Sequence, residues 1–390
     1  MPLRSKEATF GGMHILATLV VICTLAACKK DSALKKLEDF FEYRPYIIDT
    51  TIRVTSKAKD SVFQSVIPFN FTPENQGYGF PAFIQLGPKR LIMAVTQYSS
   101  VSDFLAARIV AKESNDGGKT FGPEYVLQEN IGGVQTGSPS FLRTGTDEIW
   151  LFFLVKNSPS SCNVFYKVST DNGETWGNPV RINTMEGYHI VNNARVIKSG
   201  NRIIVPVAFT SDINRYYDRQ GVFCYYSDDF GSSWQLSSRM GSTIPLMEPG
   251  VTQLTGNELL MNIRSANGKI LFSRSMDNGK TWSTPVMSAI DSPEAPGTLY
   301  KLGNNKLMLV WNNNNGSGPP DMRYSNRQPL TLSYSSDNGR TWSESLNVEW
   351  ARGVDYCYAA CYEYDGHVYL AYNVRPHSGL RIYTKMLKLR

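Results

Sequence analysis

The chain has 390 residues, 42% of them hydrophobic and 19% charged, which is the composition of a globular protein with ample core. Its formal net charge of +6 favours an acidic ligand over a basic one, and no Lys/Arg run is long enough to suggest nucleic acid. Aromatic residues make up 12%, which suits both β-structure and sugar-binding clefts.

The first feature in chain order is one apolar run, Ile15 to Ala27, with Arg4 and Lys6 ahead of it. The run is too short to span a bilayer and fits the apolar region of an export signal. It ends in Leu25-Ala26-Ala27-Cys28, which resembles a bacterial lipobox. That resemblance implies cleavage after residue 27, a lipid on Cys28, and a membrane-anchored protein at the outer membrane, periplasm or cell surface. An ordinary secretory signal is the alternative. Residues 28–45 read as a polar tether.

Four cysteines then remain for the mature chain: Cys162, Cys224, Cys357 and Cys361. Export permits disulfides, and their pairing stays open among the possible combinations. The Cys357/Cys361 pair lacks partners at zinc-ligand spacing, so buried free thiols are the default.

From about Tyr46 the pattern changes to short strands such as "RLIMAVTQY", "EIWLFFLV", "RIIVPVAFT", "ELLMNIRS", "KLMLVWN" and "HVYLAYNV", each preceded by a turn signal. Between them recurs S-x-D-x-G-x-[TS]-[WF]: "SNDGGKTF" from Ser114, "STDNGETW" from Ser169, "SDDFGSSW" from Ser227, "SMDNGKTW" from Ser275 and "SSDNGRTW" from Ser335. Five copies exceed what one catalytic centre needs. The aspartate can accept N–H bonds of its own turn, the glycine supplies a positive φ, and the aromatic residue buries against a neighbouring sheet. Each box is therefore a hairpin staple. Successive boxes lie 48 to 60 residues apart, the spacing of four-stranded propeller blades. Residues 46–390 thus predict an all-β fold, one six-bladed β-propeller, with the box-less blade split between the two ends of the chain.

These boxes resemble the Asp-box (BNR) repeats of the sialidase superfamily, and the resemblance extends through nearly all of the mature chain. It implies a site between the boxes. "MEPGVTQLTGNELLMNIRS" is similar to the segment that carries the family's catalytic glutamate and one carboxylate-binding arginine, which fall on Glu248 and Arg264. "SNRQPLTLSYSSDNGRTW" puts Arg327 at a second such arginine, with Arg323 as the lesser alternative; arginine's planar fork suits a carboxylate. "DYCYAACYEYDGHVYLAYN" resembles the nucleophile strand. Tyr356 and Tyr358 are two apart and on regular alternation share a face; the shorter form of the motif selects Tyr358. Asp103, in the loop before the strand entering the first box, fits the acid/base aspartate. "GYHIVNNARVIKSGNRIIVPVAF" places His189, Asn192, Asn193 and Arg195 where they are expected to line the pocket; an asparagine-rich turn is the structural alternative.

One departure stands out. The family's first blade opens on arginine-isoleucine-proline, and here the stretch is Gly79-Phe80-Pro81. Either Arg195 substitutes for that arginine, or the substrate is not ordinary sialic acid.

The chemistry implied is retaining glycoside hydrolysis with a tyrosine nucleophile. A carboxylate beside the anomeric carbon repels a carboxylate nucleophile but not a neutral phenol. Glu248 would take the Tyr358 proton, Asp103 would serve the leaving oxygen, and Arg264 and Arg327 would hold the substrate carboxylate. No metal or organic cofactor is implied. The expected partner is a glycan or acidic oligosaccharide. Rival readings are a glycosidase for a different acidic sugar and a non-catalytic glycan-binding propeller.

Overall fold

The computed structural model describes residues 41–72, 75, 77–99, 105–215, 221–316, 326–378 and 381–389. Cys28 and the export segment lie outside the described residues, as do Asp103 and Arg323. The described chain is built of strands with one short 3-10 turn, Ile213–Arg215, and none of its helices is long and apolar enough to cross a membrane.

Antiparallel sheets follow one another along the chain in a propeller-like arrangement. The first contains Gly77–Gln85, Leu91–Tyr98, Ala107–Ser114 and Tyr125–Gln128. Two later sheets are built on Met247–Gln253 through Val286–Asp291 and on Thr298–Lys301 through Thr341–Glu349. The last contains Val354–Tyr364, His367–Pro376 and Tyr383–Leu389, completed by Gln64–Phe69 from near the start of the chain. That is the box-less sheet, split between the chain ends as expected.

The expectation of six separate blades is not met. Four sheets stand alone, and strands between Gln135 and Ser242 join, with Glu42–Arg44, one eleven-stranded sheet. Tyr188–Ile190 makes the junction: it pairs antiparallel with Ala208–Thr210 and touches the preceding strands in parallel at Cys162. Strand pairing also begins at Glu42, inside the segment read as tether. Glu42–Arg44, Ile47–Ile48, Arg53–Val54 and Lys59–Asp60 each add a short parallel strand to the outer edge of a later sheet. Such a strap covers unpaired edge N–H and C=O groups.

Alternation explains the continuous apolar runs. Leu91–Tyr98 is buried throughout because both of its faces meet protein. Ile92 and Ala94 pack with Phe141, Leu151 and Phe153 of the next sheet. Leu91, Met93 and Val95 pack with Tyr362, Tyr369 and Ala371 of the last. Each strand face thus belongs to a core between two sheets.

All five boxes have the same geometry. The serine hydroxyl accepts the glycine N–H at 2.8–2.9 Å and donates to the aspartate. The aspartate in turn accepts the N–H and hydroxyl of Thr120, Thr175, Ser233, Thr281 or Thr341. At Gly339, φ is 80° and an added Cβ would sit 2.6 Å from Leu260 of the preceding sheet, so only glycine fits. Trp342 is fully buried in the same inter-sheet core as Leu260 and Phe272. The boxes are staples, as the sequence indicates.

Candidate active site

The first strands of four strand groups share one irregularity. Register shifts occur at Gly79/Ala82, Gly137/Ser140, Met247/Gly250 and Cys357/Ala360. The residues there, Phe80, Ser138, Glu248 and Tyr358, have φ of 57°, 56°, 39° and 56°. A bulge re-aims one side chain out of the alternation, and a non-glycine residue at positive φ carries a strain cost of order 1–3 kcal/mol. All four side chains line one cavity of about 460 Å³, together with Arg264, Arg327, Lys156 and Asn192. The cavity lies at the opposite end of the strands from the boxes. In the hairpin Ile149–Ser158/Ser161–Ser169, the cavity residues Lys156 and Cys162 pair at one end, and Ile149 pairs with the box residue Ser169 at the other.

The cavity floor is a charged network. The Tyr358 hydroxyl donates to Glu248 Oε1 at 3.2 Å. Arg264 donates through one terminal nitrogen to Glu248 Oε2 and through the other to Glu294 Oε1, the latter at 3.2 Å. Arg327 lies 5.6 Å from the Tyr358 ring centroid and donates to the Glu294 carbonyl at 3.4 Å. Asn193 donates to the carbonyls of Pro81 and Tyr358 at 2.6 and 3.0 Å, tying two bulges together. The Phe80 ring lies 4.2 Å from that of Tyr358.

Burial sets the protonation states. Desolvation, reinforced by the Glu248 charge, raises the Tyr358 phenol well above its ordinary value, so the resting group is neutral. Burial alone would also raise Glu248, but Arg264, Arg327 and the phenol outweigh it and hold the carboxyl below the usual glutamate range. Glu294 goes the other way: its burial outweighs Arg264 and raises it. The pair is thus a neutral phenol hydrogen-bonded to an ionised base, the arrangement an activated nucleophile requires. Among the described residues, no group of three or more His, Cys, Asp or Glu side chains is placed to hold a metal ion.

Glu248, Tyr358, Arg264 and Arg327 therefore converge. Four other expectations do not hold. Tyr356 does not share the cavity: the bulge after Cys357 breaks the alternation, leaving Tyr356 buried in the inter-sheet core against Tyr372. His189 is buried, with its ring nitrogens on Cys162 O and Tyr225 Oη at 2.9 and 3.1 Å. Burial lowers its pKa to about 4, which makes it a neutral core residue. Arg195 follows a positive-φ residue, Ala194, and lines a different cavity, so it does not replace the missing arginine. Asn193 positions backbone and does not line the cavity. The sequence reading missed Glu294, Phe80 and Lys156. A signal for the first was present, because "EAPGT" from Glu294 echoes "MEPGV" from Met247.

The cysteines Cys162, Cys224, Cys357 and Cys361 are free. Cys357 Sγ accepts from Arg327 at 3.4 Å, which helps fix that guanidinium.

The described strands form a propeller-like array of Asp-boxed sheets with one cavity that gathers Tyr358, Glu248, Arg264 and Arg327. The model of the BNR repeat-like domain matches residues 123–370, and the chain belongs to that family. A comparison with curated proteins returned no match. Among solved structures, a protein of unknown function from Dyadobacter fermentans superposes with TM-score 0.66 at 16% identity, covering 84% of this chain and 98% of its own. Trypanosoma rangeli sialidase, bound to the inhibitor DANA, gives 0.66 at 14% identity over 83% of this chain. The chain spans only 59% of that sialidase. The Hadza microbial sialidase Hz136 gives 0.65 at 18% identity, with 81% of this chain and 66% of that one covered. At these identities the likeness concerns the fold.

Proposed function

We propose that this protein is a retaining exo-glycosidase that removes a terminal acidic sugar from glycans. The observation that carries the reading is the 3.2 Å hydrogen bond from the Tyr358 hydroxyl to Glu248, set beside two arginines in one cavity. Glu248 takes the phenolic proton as the Tyr358 oxygen attacks the anomeric carbon. The glycosidic bond breaks and its oxygen leaves with a proton from Asp103. Water, deprotonated by the same aspartate, then displaces Tyr358, which recovers its proton from Glu248. Asp103 is assigned from sequence; the strand before it ends at Tyr98, a cavity-lining residue. Arg264 and Arg327 bind the substrate carboxylate.

One observation favours a sugar other than ordinary sialic acid. Asn373 occupies the space beside Gly79, its amide 2.8 Å from where a Cβ would stand, and its Oδ1 accepts the Phe80 N–H at 2.7 Å. An arginine there would have to displace it. The carboxylate clamp therefore has two arginines, and a phenyl ring flanks the nucleophile. In the same reading Cys28 carries a lipid that holds the exported protein on a membrane.

The test is release of fluorophore from a panel of sialosides and other acidic glycosides by purified protein. Turnover of at least one acidic glycoside, abolished in Tyr358→Phe, supports the reading. Binding without hydrolysis across the panel would make it a glycan-binding propeller instead.

A further inference from the structure

A second cavity of about 340 Å³ lies on the far side of the bulges. Three of the bulged strands supply Phe83, Phe141 and Val251 to Gln253 to its walls, and two other segments supply Arg195 to Lys198 and Thr298 to Lys301. It opens toward the box end and shares no lining residue with the first cavity.

Among the described residues three cationic side chains line it, Arg195, Lys198 and Lys301, and no aspartate or glutamate does. Each cation is held by neutral acceptors. Arg195 donates to Thr298 Oγ1 at 3.1 Å and Gly297 O at 2.9 Å, while its buried Nε has no hydrogen-bond partner. Lys198 Nζ donates to Thr144 O at 3.0 Å, and Lys301 Nζ to Leu254 O at 2.6 Å. Glu248 approaches Arg195 from the other side, but its oxygens are engaged by Arg264 and Tyr358. Burial lowers the Arg195 pKa only to about 10, so the guanidinium is charged at neutral pH. A buried charge whose neighbouring carboxylate is already shared with another arginine is costly, and two further cations line the same cavity. An anion in the cavity would relieve it, and the volume falls within the range of small-molecule sites.

We propose that this cavity binds a small oxyanion, a phosphate or a phosphate-bearing monosaccharide, independently of the Tyr358 site. Arg195 anchors the anion from the floor, and Lys198 and Lys301 close on it from the half-buried wall. Their carbonyl partners hold the ammonium groups in place, which lowers the ordering cost of binding.

The experiment is calorimetric titration of the full chain with inorganic phosphate, and separately with glucose 6-phosphate, at ionic strength fixed with chloride. Wild-type protein should bind one equivalent of phosphate. The double variant Lys198→Gln/Lys301→Gln, chosen because both lysines are half-exposed and tolerate replacement, should bind at least about tenfold more weakly. Arg327→Gln should bind as wild type does, since Arg327 belongs to the other cavity. Tighter binding of glucose 6-phosphate supports a sugar-borne ligand, and equal binding supports the free ion. No saturable phosphate binding by wild type would overturn the proposal. So would unchanged affinity in the lysine variant, or loss of binding in Arg327→Gln. A glycosidase panel that fails would leave this result untouched.

Discussion

Tyr358 and Glu248 stand 110 positions apart in the chain, yet the phenol donates to the carboxylate across 3.2 Å. Both residues sit at bulges with positive φ, in first strands of different sheets. The strained backbone at each is what turns the two side chains toward one point.

Tyr358→Phe keeps the ring against Phe80 but loses the attacking oxygen. It should lower kcat by about 10³-fold or more while ligand affinity changes little. Tyr356→Phe should do the reverse: catalysis survives and any loss appears in melting temperature, because Tyr356 packs in an inter-sheet core. Steady-state kinetics and thermal melts of the two variants separate the roles.

Arg264 lies between two buried carboxylates, Glu248 and Glu294. Arg264→Met removes the shared cation and leaves both acids without it, which should cost about 3–5 kcal/mol of stability. Denaturant unfolding measures this. Arg327→Met should cost less stability and appear chiefly as a higher KM.

The pH–rate profile follows from the two shifts. Glu248 is depressed and Tyr358 raised, so the pair should keep its working protonation state from mildly acidic to mildly alkaline pH. kcat/KM should show neither group's break near neutrality. A break near pH 7 that vanished in Glu248→Gln would contradict the assignment.

The boxes should respond to acid. Hydrogen bonds from the Thr175 hydroxyl and N–H, and from Ser169, lower the Asp171 pKa to about 2. At Asp116, burial opposes the shift, but the bonds from Thr120, Ser114 and Lys119 outweigh it and also give about 2. An unfolded aspartate titrates near 3.9. The stabilisation is therefore present in full above about pH 4 and is lost as pH falls toward 2. Melting temperature should drop over that window, and less steeply in Asp171→Asn. In Asp277→Ala, loss of the turn's acceptor should cost about 1–2 kcal/mol with turnover per folded molecule unchanged.

What the sequence disclosed was what is local. Each box closes its own turn within a few residues, so Ser, Asp, Gly and Thr spacing suffices to read it. Glu248 and Arg264 were legible because they stand on adjacent strands, in one short segment. Tyr356 against Tyr358 was not, because regular alternation treats them alike and only the bulge at Cys357/Ala360 separates them. Arg195 and His189 look like site residues in a polar stretch. Their direction is fixed by distant groups, Gly297 for one and Tyr225 for the other. The eleven-stranded sheet depends on a single parallel contact, Cys162 with Tyr188, which no turn or periodicity announces.

The central claim is that Tyr358 forms a covalent bond to the sugar. Incubation with a fluorinated acidic glycoside that forms its glycosyl-enzyme faster than water removes it, followed by proteolysis and mass spectrometry, addresses it most directly. The account predicts a single sugar adduct on Tyr358, absent in Tyr358→Phe. An adduct on another residue, or hydrolysis that persists in Tyr358→Phe, would contradict it.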